Sequence, residues 1–389
     1  MLKKAFLIKS ASLLLILFIG CSSDENNGEP EKPIDSITPT ITCVSNIDET
    51  VDALSAGKQV TYTAPTGNDN LPGFEVSQIE GLASGELFPV GTTTNTYEVK
   101  DAAGNTATCS FDITVTRSEP SSSLPYFIGA DPTPSDKVWS KVENLSDEFN
   151  DGVFDESKWL NTDPARWIGR APGLFKKNTV SEADDNLKLT AYMLDAPEVV
   201  NGSTFTHAGS NIYSKEAAQV GYYTECRMKA NQTFMSSTFW LINNRNDGTG
   251  CDVRVTELDI QECVGQVTGT ANFAQNFDET MHSNTHSRQT DCPETPTGSA
   301  GGSSEIGAKV YSDYFVYGVW WKSATEIEFY LNGENVYTIT PEADFDLPMF
   351  LRMVIETYDW NPVPSDGGMT GTEEQRTTYY DWVRTWKLE

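Results

Sequence analysis

The stretch TELDIQEC at residues 256–263 places three carboxylic acids, Glu257, Asp259 and Glu262, in an otherwise apolar, strand-like run. On a strand, residues i and i+2 share a face, so Glu257 and Asp259 project together. Glu262 comes five positions after Glu257 and points the other way unless the strand carries one extra residue. A β-bulge between Asp259 and Glu262 supplies that residue and returns Glu262 to the shared face. The two glutamates then stand about four strand steps apart, roughly 13 Å between backbones, a gap that long side chains leaning inward close. Cleaving a glycosidic bond with retention needs a nucleophilic carboxylate and an acid/base carboxyl about 5–5.5 Å apart. Glu257 and Glu262 suit those tasks, while Asp259 hydrogen-bonds Glu257 and, by like-charge repulsion, helps keep Glu262 protonated. Spacing alone leaves two other readings open, the polar face of an edge strand and a calcium site. Calcium usually draws on loops with glycine turns and carbonyls, which this stretch does not offer.

The surrounding chain is built to carry strands. Its 389 residues are 38% hydrophobic and 11% aromatic, enough for a real core in two or three domains. With 29 Gly and 19 Pro, and Thr, Val and Tyr in short alternating runs, the expected class is all-β, mostly antiparallel. A formal net charge of −29 repels nucleic acid at long range, so no nucleic-acid partner is expected.

The first twenty residues, MLKKAFLIKSASLLLILFIG, join a lysine-bearing start to an apolar run too short for a stable membrane span. They read as an export signal (1–20). Cys21 directly after it resembles a lipobox cysteine, acylated to anchor an exported outer-membrane lipoprotein of a bacterium, although Phe18 stands where Leu is usual. The other six cysteines, Cys43, Cys109, Cys226, Cys251, Cys263 and Cys292, are an even set in an oxidising compartment, so disulfides are allowed. Pairing among the last four has three open connectivities.

Polar stretches at 21–38 and 118–134 read as linkers that separate a unit at 39–117 from a large one at 135–389. In the first, residues 91–115 alternate as two strands across a DAAGN turn, with Cys43 and Cys109 near its ends. This resembles the hyalin-repeat (HYR) immunoglobulin-like module, which implies a β-sandwich used as a spacer or for binding. In the second, ATEIEFYLNGENVYTI (324–339) is a hairpin and TTYYDWVRTWKL (377–388) a closing strand. Some 250 residues of short strands favour a large sandwich or jelly roll with a face able to hold an extended polymer.

ELDIQE matches the ExDxxE signature of glycoside hydrolase family 16. LSDEFNDGVFDESKW (145–159), STFWLINNRNDG (237–248), GVWWKSATEIEFYLNGENV (318–336) and the YYDWVRTW ending support the resemblance across 135–389. It implies a concanavalin A-like β-jelly roll in which Glu257 is the nucleophile, Asp259 its helper and Glu262 the acid/base. ARWIGRAPGLF (165–175) resembles a segment of porphyranases and carrageenases more than that of ordinary agarases or laminarinases. The implied activity is endo-hydrolysis, with retention, of β-1,4 bonds in a red-algal galactan (agar, porphyran, carrageenan or furcellaran). A β-1,3-glucanase on the same fold and a non-catalytic glycan-binding lipoprotein are the alternatives.

Aromatic faces for sugar rings are expected from Trp167 and Trp240, with Trp321 ranked below them, and sulfate contacts from Arg170, Arg166, Arg245 or Arg254. His282 and His286 share a parity just after the acidic strand, and the resemblance implies a histidine near the acids. Glu356, Tyr358 and Trp360 lie at strand spacing, and Glu356 or Trp360 is expected to bind sugar. No GxSxG elbow accompanies His207, His282 or His286, which disfavours a serine triad. No cofactor is expected, a structural calcium is compatible but unmarked, and the chain is expected to act as a monomer.

Overall fold

The computed structural model describes residues 35–51, 55, 57–118, 120–128, 131–162 and 167–389. The export signal, Cys21, most of the first expected linker and Arg166 lie outside them. Two compact units divide at Ser118 and Glu119.

The first unit is immunoglobulin-like. A four-stranded sheet runs in the order Ile47–Val51, Thr106–Arg117, Gly91–Lys100, Glu75–Glu80, the first pair parallel. The expected hairpin is present: Asp101 accepts backbone N–H bonds from Ala103 and Asn105 and closes the DAAGN turn. Alternate residues Tyr97, Phe111, Ile113 and Val115 fill the core, and a disulfide joins Cys43 to Cys109.

The second unit is an all-β jelly roll of two stacked sheets. One sheet has nine strands, with the central order Ser203–Ala218, Met349–Ile355, Ser236–Ile242, Val255–Val264, Thr280–Arg288, Gly298–Glu305. The other has eight and is centred on Thr377–Leu388 and Tyr223–Lys229. Period-two alternation sends Phe239, Leu241, Leu258, Ile260, Leu351 and Met353 into the space between the sheets. Each large side chain buried there contributes about 1.5–3 kcal/mol. The predicted hairpin turns at Asn332 and Gly333, both with positive φ (52° and 82°), as a two-residue turn requires.

Two expectations differ from what is found. Of the last four cysteines only Cys251 and Cys292 are bonded; Cys226 and Cys263 are buried thiols on opposite sheets. Burial pushes the Cys263 thiol up to about 12 and that of Cys226 well above its ordinary value, so both behave as small core hydrophobes. Nor is all of 118–134 a linker, because residues 120–128 strap the eight-stranded sheet. Buried Arg384 donates to the Pro120 and Ser121 carbonyls (3.1 and 3.3 Å) while its fork holds the Glu148 carboxylate. Trp386 Nε1 donates to Ser123, and Phe127 packs against Tyr223 and Tyr330. Serine and proline mark a linker by composition, yet these backbone carbonyls find buried donors.

Candidate active site

The acidic strand, Val255–Val264, carries the expected bulge. Its partner pairs Ile242 with Glu257, Trp240 with Asp259, Phe239 with Gln261 and Thr238 with Glu262, so Ile260 is the extra residue. Ile242, Trp240 and Thr238 share one face, and all three acids therefore emerge on it. Gln261 sits at the kink, fully buried, and its amide satisfies the neighbouring strand: Nε2 donates to the Thr280 carbonyl (3.2 Å) and Oε1 accepts from His282 N–H (2.9 Å).

The acids open into a cavity of about 340 Å³ that Trp167, Arg170, Trp240, Arg288, Arg352, Glu356 and Tyr358 also line. Trp167 and Arg170 arrive on a tight loop. Gly169 has φ +111°, and a Cβ there would stand 2.3 Å from the Gly173 carbonyl oxygen, so only glycine turns the chain here. Trp167 meets Trp240 edge to face at 6.0 Å. Arg170 Nε lies 3.3 Å from Glu356 Oε2, with its guanidinium 5.6 Å from the Tyr358 ring centre.

Each acid has its own partners. Arg288 holds Glu257 with two parallel bonds, Nη1 to Oε1 at 3.0 Å and Nη2 to Oε2 at 2.5 Å. His286 Nε2 stands 3.2 Å from Asp259 Oδ2. Glu262 accepts from Asn284 Nδ2 (2.7 Å) and from the Tyr358 hydroxyl (3.1 Å), with His282 Nδ1 at 3.6 Å.

These partners set the acids apart electrostatically. Burial and the charges of Glu262 and Glu257 push Asp259 well above the usual carboxylate range. Burial also acts upward on Glu262, but His282, Asn284 and Tyr358 outweigh it and hold that carboxyl below its ordinary value. The surroundings thus favour the protonated form of Asp259 and the ionised form of Glu262, because Glu262 has three polar neighbours, Asn284, Tyr358 and His282, where Asp259 has His286.

Burial, with the charges of Glu262 and Glu257 added, also raises Glu356 to about 8, against the pull of Arg170. The folded chain thus keeps a proton that the unfolded chain releases near pH 4.5. The resulting stability is complete below about pH 4.5 and is lost as pH rises through about 8. Glu356→Gln should therefore flatten the fall of melting temperature between pH 5 and pH 8.5, an effect on the order of several kcal/mol. Parallel melting curves that keep the wild-type slope would refute the buried proton.

Of the expected site residues, Trp167, Arg170, Trp240 and Glu356 line the cavity, and His282 and His286 flank the acids. Trp360 lies behind Tyr358, stacked on it at 4.9 Å. Arg254 is a correction. It has the opposite parity to Glu257, is buried, donates to the Asp344 carbonyl and pairs with Asp346. Arg245 pairs with Asp291, Trp321 is core with Nε1 on the Phe345 carbonyl, and His207 is buried against Gly367. Asn284, Arg288, Arg352 and Tyr358 were not anticipated as site residues. Asn284 and Arg288 share the parity of His282 and His286, and Arg352 that of Glu356, so the signal was present in alternation.

Oxygen and nitrogen atoms of Glu257, Asp259 and His286 lie within 4.8 Å of one another, close enough to hold a cation. The Arg288 guanidinium already supplies positive charge to that corner. A second such group, Asp35, Asp69 and Asp101, lies in the first unit.

Comparison with known proteins places residues 139–388 in the family described as beta-porphyranase A–D, GH16 domain, and residues 34–115 in the HYR domain family. Beta-porphyranase B of Zobellia galactanivorans is 54% identical over 261 residues, 67% of this chain and 88% of that protein. The crystal structure of porphyranase B from the same organism superposes with a TM-score of 0.66, covering 68% of this chain and 98% of that one. A beta-porphyranase from the human gut bacterium Bacteroides plebeius follows at 31% identity and a TM-score of 0.57, covering 67% and 95%.

Proposed function

Because this chain belongs to glycoside hydrolase family 16 and is a glycoside hydrolase, we propose that it cleaves β-1,4 galactosidic bonds within a red-algal galactan, with retention and in endo fashion. The observation that carries the mechanism is the bulged strand, which turns Glu257, Asp259 and Glu262 to one face of the cavity. Glu257 attacks the anomeric carbon and Glu262 protonates the departing oxygen, then takes a proton from the water that releases the sugar. Asp259 lies between them; its proton passes to Glu262 and from Glu262 to the departing oxygen, which leaves both side chains as carboxylates. Tyr358 and Asn284 orient Glu262, and Arg288 fixes Glu257.

The substrate class rests on the porphyranase relatives and on the cations gathered in the cleft. Arg170, Arg288 and Arg352 line this one cavity together with the carboxyl groups of Glu257, Asp259, Glu262 and Glu356, and Arg288 is taken up by Glu257. An anionic substituent such as a sulfate ester would be met by Arg170 alone, which has 43% of its side chain exposed and can form the paired contact. Export with a lipid on Cys21, and a spacer role for the HYR-like unit, complete the reading.

A reducing-sugar assay on porphyran, agarose, κ-carrageenan, furcellaran and laminarin tests it, with NMR of the newly formed reducing end to read retention. Arg170→Ala is expected to lose about 10–100-fold in kcat/KM on the sulfated galactan, the worth of hydrogen bonds to a charged group, and far less on agarose. Cleavage of laminarin alone would move the substrate to a β-1,3-glucan. Binding without cleavage would make the cleft a lectin site.

A further inference from the structure

Phe273 is a large apolar residue that the fold leaves 63% exposed, on the short 3-10 turn Asn272–Ala274. Its loop is not loose. Fully buried Asn361 accepts from the backbone N–H groups of Thr268 (2.7 Å) and Gly269 (3.1 Å) and donates to the carbonyls of Phe234 (2.7 Å) and Gln266 (3.0 Å). Gln275 closes the far end on the carbonyls of Gly269 and Ala271. Gly269 passes so near the Trp360 carbonyl oxygen that a Cβ would stand 1.9 Å from it.

The ring is held at the end of an aromatic series that starts at the active site. The Tyr358 hydroxyl donates to Glu262, the Tyr358 ring stacks on half-buried Trp360 at 4.9 Å and 20°, and Trp360 meets Phe273 edge to face at 5.6 Å and 72°. Phe273 does not line the cavity itself but is joined to the cavity-lining Tyr358 through Trp360, so an exposed ring held by a rigid loop continues the aromatic surface outward from the cleft. Galactopyranose has the matching chemistry, because its axial 4-hydroxyl leaves one ring face as a patch of C–H groups that packs on an aromatic plane.

We propose that Phe273, backed by Trp360, is a stacking platform for a galactose ring of the bound chain on the Glu262 side of the scissile bond. The proposal rests on the galactan-hydrolase reading. Phe273 touches no reacting group, so it acts on binding and on where the chain is cut, not on the chemical step. Because the platform carries no charge, the ring it takes presents an apolar face there and no sulfate.

The test uses the full chain with Phe273→Ala, Phe273→Leu and Phe273→Tyr, on the galactan that the wild type cleaves best and on its oligosaccharides. Loss of the ring should raise KM about five- to tenfold, the worth of one aromatic contact, with kcat within about twofold of wild type. Leu should behave as Ala does, Tyr should restore the wild-type KM, and the product sizes should shift in the first two. A KM and product pattern unchanged in Phe273→Ala, with an active wild type, overturns the platform and leaves the activity standing. A wild type inert on every galactan overturns both. A drop in kcat without a change in KM, or a KM that Tyr does not restore, also overturns it.

Discussion

Glu257→Gln and Glu262→Gln are each expected to lose on the order of 10⁴-fold or more in kcat on the natural polysaccharide, with the fold intact. Both substitutions keep size and shape while removing the charge. In Glu262→Gln the amide oxygen still accepts from Asn284 and the amide nitrogen can donate to the Tyr358 hydroxyl. Glu257→Gln leaves behind the Arg288 guanidinium, whose side chain is 41% exposed and open to water. Melting temperatures should stay within a few degrees of wild type. The two roles separate on a galactoside with an activated aryl leaving group, which departs without a proton. That substrate should restore the first step in Glu262→Gln and leave Glu257→Gln inactive. Azide then reads the stereochemistry: it should give a β-galactosyl azide with Glu262→Ala, where the covalent intermediate still forms, and an α-azide with Glu257→Gly, where azide replaces the nucleophile. Full activity in a clean Glu257→Gln preparation, or the two azide outcomes exchanged, would overturn the assignment.

Arg384→Met should lower stability by about 3 kcal/mol, or roughly 6–12 °C in melting temperature, without changing kcat. Arg384 is 4% exposed and satisfies three partners at once: the Glu148 carboxylate and the carbonyls of Pro120 and Ser121. Methionine fills the volume but leaves a partly buried carboxylate and two strap carbonyls without their donor. Lys141, 2.8 Å from Glu148, offsets part of this, which holds the figure near the low end for a broken buried pair. The strap should come loose first, so amide hydrogen exchange at Tyr126 and Ile128, whose N–H groups bond Glu225 and Gly333, should rise ahead of global unfolding. The reaction is untouched because the acids face out of the other sheet. An unchanged melting temperature, or exchange that rises only with global unfolding, would show that 120–128 is held by its aromatic contacts alone.

The arginines show what alternation alone decides and what it leaves to strand register. Arg254 stands just before the acidic strand and at the opposite parity to Glu257, so its absence from the cleft follows from the sequence by counting. Arg288 also has a readable parity, but its bidentate grip on Glu257 depends on the next strand pairing His286 opposite Glu257. A register one residue away would have turned Arg288 to the core face. Asp259 makes the same point for electrostatics. Three like charges in a row predict that one carboxyl keeps a proton, but which one is decided by donors arriving from the 280–288 strand and the 356–360 segment.

By itself the sequence determined the all-β class, the acidic strand, the need for one extra residue within it and the 332–333 turn. These follow from the two-residue period of the strand and from where glycine and asparagine permit positive φ, which are local properties of the backbone. Only the tertiary structure decided the partner of each acid, which two of Cys226, Cys251, Cys263 and Cys292 are joined, the docking of 120–128 and the placing of Phe273 beside Trp360. Each of those depends on contacts between residues far apart in the chain, and their geometry is set by how two sheets and their loops pack to satisfy every buried donor and acceptor.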